Sequence, residues 1–283
     1  MNEYRTVRPE ALPLNEGVQI LNSNQDGLVA VEKPTGALSH PNKPEDSRRS
    51  ILKANYDYEN EYFFWEDEDG RECRVWLVNR LDSPTSGVML LALNEPLNDI
   101  VKYNFATHKV SKVYYALVKN LPKKQAAIWQ DDLRKDVIVG KRRIKKLRKI
   151  TAKTSYQLVT KPIGGFPISL LRLSPVTGRT HQLRVQCKKH GHPIVGDRTY
   201  GHFAFNKEVA LESGERRMML HCAETVVNYN YKGKVCCFQA KSEMPEAFHK
   251  VLNFRPGMKL PKQASADSTA VSKTLKDRRF KEG

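Results

Sequence analysis

The chain has 283 residues, 40% of them hydrophobic, enough for a folded core in one large domain or two smaller ones. Its 48 Lys and Arg against 31 Asp and Glu leave a formal charge of +17, which favours a polyanionic partner such as nucleic acid. No run of about 18 apolar residues is present to cross a membrane, no basic amphipathic helix points to a membrane surface, and Met1-Asn2-Glu3-Tyr4-Arg5 carries no secretory pattern, so a cytoplasmic, bacterial protein is expected. Cys73, Cys187, Cys222, Cys236 and Cys237 are odd in number and form no Cys-x-x-Cys pair, so they read as buried thiols, neither disulfides nor a zinc site.

In chain order, Leu28-Val29-Ala30-Val31 reads as a short buried strand that Glu32-Lys33-Pro34-Thr35-Gly36 turns into a loop holding Ser39, His40 and Pro41. Residues 55–72 mix Tyr56, Tyr58, Tyr62, Phe63, Phe64 and Trp65 with acids. The expectation there is a hairpin or flap whose aromatics cover a core edge, because its acids repel phosphate. Next, Asn79-Arg80-Leu81-Asp82-Ser83-Pro84-Thr85-Ser86-Gly87 runs into Val88-Met89-Leu90-Leu91-Ala92-Leu93. This puts a lone carboxylate and a guanidinium on a turn at the edge of a buried strand, where a rigid element fixes a loop for chemistry. From this segment alone, Asp82 reads equally as an acceptor for the backbone N–H groups of its own turn.

Asn94 caps a helix with Pro96 in its first turn and Leu97, Ile100, Val101 and Phe105 in one apolar stripe. Residues 112–118 read as a strand with Tyr114 on the face opposite Val113, Tyr115 and Leu117. Residues 141–153 are strongly basic with no acid, and Ile144, Leu147 and Ile150 recur every three residues, so one side is free to dock while the other meets phosphates. Residues 168–173 are another strand, Thr180 is the expected cap of a following helix, and Gly191 its stop. Residues 235–240 read as a strand, and Pro245 starts a helix carrying Ala247, Phe248, Val251 and Leu252. Strands alternate with short helices without a regular βαβ rhythm or a Gly-rich phosphate loop, which argues for an α+β fold with a largely antiparallel sheet and no nucleotide cofactor.

Arg80-Leu81-Asp82 with Thr85-Ser86-Gly87, Lys112-x-Tyr114-x-Ala116, Thr177-Gly178-Arg179-Thr180-His181-Gln182-Leu183-Arg184, and Gly191-His192-Pro193-Ile194-x-Gly196-Asp197 occur in one order. Together they resemble the RluA family of pseudouridine synthases. Lys33-Pro34-x-Gly36 and Leu220-His221 extend the resemblance over roughly residues 28–254. It implies a pseudouridine synthase catalytic fold, a bisected, mainly antiparallel sheet with flanking helices and a central active cleft. It implies the reaction as well: a uridine in RNA is isomerised by breaking N1–C1′ and forming C5–C1′. By the same resemblance Asp82 is the catalytic aspartate, Tyr114 stacks on the target base, and Arg184 partners the Asp82 carboxylate. The expected domains are an N-terminal extension over 1–27, the catalytic domain over 28–255, and a basic, disordered tail over 256–283.

Physical chemistry asks for the same groups. Exchanging a glycosidic bond without a cofactor or metal needs a carboxylate that stays ionised in a closed pocket, and an arginine partner favours that form. A uridine in folded RNA must also be flipped out at a cost of a few kcal/mol, which an aromatic platform offsets by about 1 to 3 kcal/mol. Arg80 is expected to hold the flipped-out strand or to fill the gap left in the RNA helix, and Arg179 either to bind phosphate or to brace the loop under Asp82. His181, His40 and His221 are expected to be structural. With no room before Leu28 for a further RNA-binding module, grip falls to Lys141, Arg142, Arg143, Lys145, Lys146, Arg148 and Lys149. The expected partner is tRNA or rRNA, and a monomer suffices. The family commonly has histidine where this chain has Asn79, which predicts altered loop contacts and intact chemistry. Two competing readings are a catalytically silent RNA-binding protein on the same fold, and a glycosidase, which needs a second carboxylate.

Overall fold

The computed structural model describes residues 4–5, 7–139 and 142–257, those of 134–149 by backbone alone. Its strands are β1 (Gln19–Ser23), β2 (Leu28–Lys33), β3 (Asn55–Asp57), β4 (Tyr62–Glu66), β5 (Glu72–Leu77), β6 (Ser86–Ala92), β7 (Val110–Lys119), β8 (Ala126–Val139), β9 (Arg142–Thr160), β10 (Ile168–Pro175), β11 (Leu220–Tyr231) and β12 (Lys234–Lys241). Four helices accompany them: α1 (Glu95–Ala106), α2 (Gln182–Lys189), α3 (Phe203–Ser213) and α4 (Glu246–Leu252).

All the strands join one sheet in the order β3-β4-β5-β6-β11-β7-β10-β9-β8, with β2 also on β6, β1 on β2, and β12 on β11. The named strands pair antiparallel except at one place, where β6 and β11 run parallel through Ser86↔His221 and Gly87↔Cys222. This short seam joins two antiparallel halves, the expected bisected α+β architecture. Its closeness rests on Gly87. That residue has φ +111°, and a Cβ there would lie 2.1 Å from the Cys222 carbonyl oxygen. Gly87→Ala is therefore expected to lower unfolding free energy by about 2 to 4 kcal/mol, from a strained φ plus a backbone clash. Urea denaturation checks this; a change below about 0.5 kcal/mol would mean that the seam yields easily.

Each half of the sheet has its own core. Every residue of β6 is buried because β2 and β5 flank it and α1 covers it, so its apolar run has no solvent face. At the start of α1 the Asn94 Oδ1 accepts the Leu97 N–H at 3.0 Å, and Leu97 and Val101 enter the core as their spacing predicts. In residues 55–72 an antiparallel meander forms, with Tyr56 and Phe63 in the core and Tyr62 and Trp65 packed against it. Those aromatics do cover a core edge. On the other half, α3 and α4 close one core with Phe205, Val209, Phe248 and Val251, and α2 closes another with Leu183 and Cys187. Residues before β2 also pack here, with Val7, Leu12 and Val18 in the first core.

Several expectations are corrected. Thr180 is exposed and does not cap α2; His181 is the cap, in the left-handed region at φ 53°. The Gln182 side chain reaches back instead to accept from the Arg179 N–H at 3.0 Å and the Thr177 hydroxyl at 2.7 Å. Gly191 does follow the end of α2, at φ +81°. From Arg142 onward the basic stretch is part of the strand β9. Lys141 lies outside the described residues, and so do the side chains of Arg142, Arg143, Lys145, Lys146, Arg148 and Lys149. The tail beyond Gly257 is outside them too. Three cysteines are buried, but Cys236 is half-buried and Cys237 exposed, because β12 is paired on one side only and turns alternate residues to solvent.

Candidate active site

Residues 79–85 link β5 to β6 and are stapled to the loop after β2. The fully buried Lys33 donates from its Nζ to the carbonyls of Pro34, Ala37 and Ser83 at 3.1, 2.7 and 3.0 Å. Burial pulls its pKa down to about 7, against the upward pull of the Asp82 charge. Ser39 Oγ adds a bond to the Leu81 carbonyl at 2.7 Å and accepts the Leu81 N–H at 3.0 Å. At the start of the link, Asn79 Oδ1 accepts the Leu90 N–H at 2.8 Å, so this amide anchors the turn to β6.

With its backbone so held, the Asp82 side chain has no backbone donor of its own turn among the described residues. Its carboxylate instead accepts from Arg184 Nη1 at 2.9 Å, and His181 Nε2 stands 3.8 Å away. Arg184 reaches it from α2, 102 residues along the chain. The guanidinium is itself fixed from behind. Arg184 Nε and Nη2 donate to Asp197 at 2.8 and 2.9 Å, and the fully buried Asp197 carboxylate also accepts the N–H groups of Thr199 and Tyr200 at 2.8 and 3.0 Å. Burial works against the charge on both groups, but their mutual hydrogen bonds outweigh it, raising Arg184 and lowering Asp197.

Tyr114 lines the same cleft from β7, opposite Cys222 in the β7–β11 register. Burial above all, with the neighbouring Cys222 thiol, pushes its phenol well above the usual range. Tyr114 thus lines the cleft with a phenol that stays protonated. The cleft holds about 610 Å³, room for a nucleotide, and Arg80 and Arg179 stand on its walls. Arg80 is exposed, 3.8 Å from Glu61 and 3.5 Å from the His40 ring, which stacks on Tyr56. Arg179 is exposed and donates to the Thr151 carbonyl at 3.4 Å.

Asp82, Tyr114, Arg184, Arg80 and Arg179 therefore share one cleft. Asp197 and Lys33 lie inside the motifs of the resemblance but carry no expected role there; the signals for them are an Asp directly after Gly196 and a Lys directly before Pro34.

Behind the Ser86–His221 seam lies a buried polar chain. His221 Nδ1 is 2.8 Å from Ser86 Oγ and its Nε2 is 3.0 Å from Ser242 Oγ. Arg217 donates to Ser86 Oγ at 2.6 Å, and Ser242 Oγ donates to Glu32 at 2.8 Å. Burial brings His221 down to about 4, so the folded imidazole is neutral at pH 7. In the unfolded chain it titrates near 6.5; its contribution is therefore complete above that pH and is lost as pH falls toward 4, of order 3 kcal/mol in all. Urea unfolding from pH 7.5 to 4.5 is expected to show a shallower loss of stability in His221→Asn than in wild type. Equal slopes would mean that His221 does not titrate with folding.

The fold is that of known RNA pseudouridylate synthase structures. Among solved structures the chain resembles Human RNA Pseudouridylate Synthase Domain Containing 4, with a TM-score of 0.59, 23% identity, and coverage of 82% of this chain and 91% of that one. A family model described as RNA pseudouridylate synthase matches residues 27–189, and the chain belongs to that family, whose members are isomerases converting uridine in RNA to pseudouridine. It is 31% identical over 229 residues to tRNA pseudouridine synthase C of Pectobacterium carotovorum subsp. carotovorum, covering 77% of this chain and 57% of that relative. It is also 31% identical over 250 residues to an RNA pseudouridine synthase of Aquifex aeolicus (strain VF5), covering 88% of this chain and 75% of that relative. No helix among the described residues is long and apolar enough to cross a membrane.

Proposed function

We propose that the chain is a cytoplasmic, monomeric enzyme that isomerises a specific uridine in structured tRNA or rRNA, with Asp82 as its catalytic aspartate. One observation carries this reading. The Asp82 carboxylate is spared by its own turn and held at 2.9 Å by an arginine that buried Asp197 locks in place, in a cleft walled by Tyr114. The name of the Pectobacterium relative favours tRNA.

In the proposed reaction the base flips into the cleft and stacks on Tyr114. Either Asp82 attacks C1′ as N1–C1′ breaks, and the Asp82–C1′ bond breaks in turn when C5 of the rotated ring bonds C1′; or Asp82 takes a neighbouring sugar proton as N1–C1′ breaks and returns it when C5 bonds C1′. In both, C5 then loses its proton and N1 gains one. Arg184 keeps the carboxylate charged and oriented. Arg80 holds the displaced strand, and Arg179 and the basic run 141–149 meet the backbone phosphates. The catalytic domain spans 28–255, with residues 7–27 packed on it as an extension. Hydrolysis is disfavoured because Asp197, the carboxylate behind Arg184, has its oxygens committed to Arg184 and two backbone N–H groups and is fully buried from water.

Mapping pseudouridine in total RNA from cells with and without the gene tests this. One or a few sites are expected to vanish, and purified protein to restore them on RNA from the deleted strain. If no site vanishes and none can be restored, the enzymatic reading falls.

A further inference from the structure

Lys112 has no task in the chemistry assigned to Asp82, Tyr114 and Arg184, yet it lines the same cleft. It precedes Tyr114 by two residues on β7, so both side chains leave the same face of the strand, roughly 7 Å apart. Its ammonium stands 5.5 Å from the Phe105 ring centre, beside Gly178, where a Cβ would be 3.8 Å from Nζ. Among the described residues no carboxylate pairs with it and no oxygen accepts from it. The neighbouring cations differ in this respect. Lys33 has three carbonyls, Arg184 two carboxylates, and Arg217 the Ser86 hydroxyl.

Burial accordingly pulls the pKa of Lys112 down, with only the field of the Cys222 thiol opposing it. Lys112 is half-buried, and a partly desolvated cation without an acceptor costs stability that an anion arriving with the substrate would offset. Two anions enter such a cleft. Backbone phosphates are charged throughout and suit the exposed walls, where Arg80 and Arg179 stand. The other anion exists only during the reaction. When N1–C1′ breaks, the bonding pair stays on N1 and spreads to O2 and O4 of the ring, inside the pocket where Tyr114 stacks.

We infer that Lys112 is a further catalytic residue, donating a hydrogen bond to an oxygen of the detached uracil ring and holding its charge while the ring turns from N1 to C5. Lys112 neither gains nor loses a proton; the pair on the ring forms the C5–C1′ bond as the sugar is released from Asp82 or regains the proton Asp82 took, and the proton then lost from C5 is matched by one gained at N1. A compact ammonium with three donors on a flexible stem can follow a turning ring, whereas a planar guanidinium holds one orientation. The inference rests on the proposed roles of Asp82 and Tyr114.

The test is single-turnover pseudouridine formation, alongside RNA affinity at several salt concentrations, on RNA from the deleted strain. Lys112→Met is expected to slow turnover by at least about 100-fold, as loss of a preorganised donor to a developing anion does, with affinity within about threefold and an unchanged salt slope. Lys112→Arg keeps the charge and is expected to bind equally, yet stay at least about tenfold slow. Should methionine impair folding, Lys112→Gln replaces it under the same thresholds. Turnover within about threefold of wild type overturns the inference, and so does weaker binding with a salt slope lower by about one, which makes Lys112 a phosphate contact. Asp82→Asn, run in parallel, separates the two proposals. If it turns over like wild type, both fall; if it is silent while Lys112→Met runs normally, the role of Lys112 alone falls.

Discussion

Arg184→Met is expected to abolish pseudouridine formation and to lower unfolding free energy by about 3 to 5 kcal/mol, the range for removing one partner of a buried ion pair. Methionine keeps most of the volume, so the loss comes from charge. Asp197 is fully buried and keeps two backbone N–H groups for a carboxylate that had four donors, and Asp82 loses its hydrogen-bonded partner. Arg184→Lys keeps a cation but not the fork that grips both oxygens of Asp197 while a third nitrogen reaches Asp82; turnover at least about 100-fold below wild type is expected. Combining Arg184→Met with Asp197→Leu removes both buried charges, and it is expected to regain most of the stability and none of the activity. Urea unfolding and single-turnover assays check the set. An Arg184→Met protein within about 1 kcal/mol of wild type and active would show that Asp82 needs no such partner.

Local features of the chain were legible where short-range physics decides them. Asn94 and Pro96 announce α1, Gly191 ends α2, and an apolar run long enough for a fully buried strand marks β6. Helix α3 carries no such sign. Its Phe203 and Leu211 are exposed while Phe205 and Val209 are buried, so apolar residues on both faces erase the 3.6-residue pattern. Thr180 is an ordinary cap candidate, but the helix begins one residue later, after His181, and the Gln182 side chain ties the preceding loop through Thr177 and Arg179. Strand β8 mixes charged and apolar residues, so it escaped notice.

The site divides along the same line. From its own segment Asp82 reads two ways, and the resemblance, not a local rule, favours the catalytic one; in the fold its carboxylate accepts from Arg184 and from no backbone N–H of its turn among the described residues. That Arg184 meets it across 102 residues came from resemblance, since no local rule links the two. Asp197 and Lys33 were unreadable as supports for the same reason: each acts on a loop that only the folded chain brings near. Asn79 departs from the family's usual histidine, and its bond to the Leu90 N–H is one an amide oxygen makes well, so the turn is held at this end while the proposed catalytic aspartate stands three residues on.

The central claim is that Asp82 performs the chemistry and is not needed to hold RNA. Asp82→Asn keeps the shape of the side chain and an oxygen to accept from Arg184 while removing the nucleophile. On RNA carrying the target uridine, the prediction is affinity within about threefold of wild type and pseudouridine formation slower by at least about 10⁴-fold. Product formed within about tenfold of the wild-type rate would contradict it.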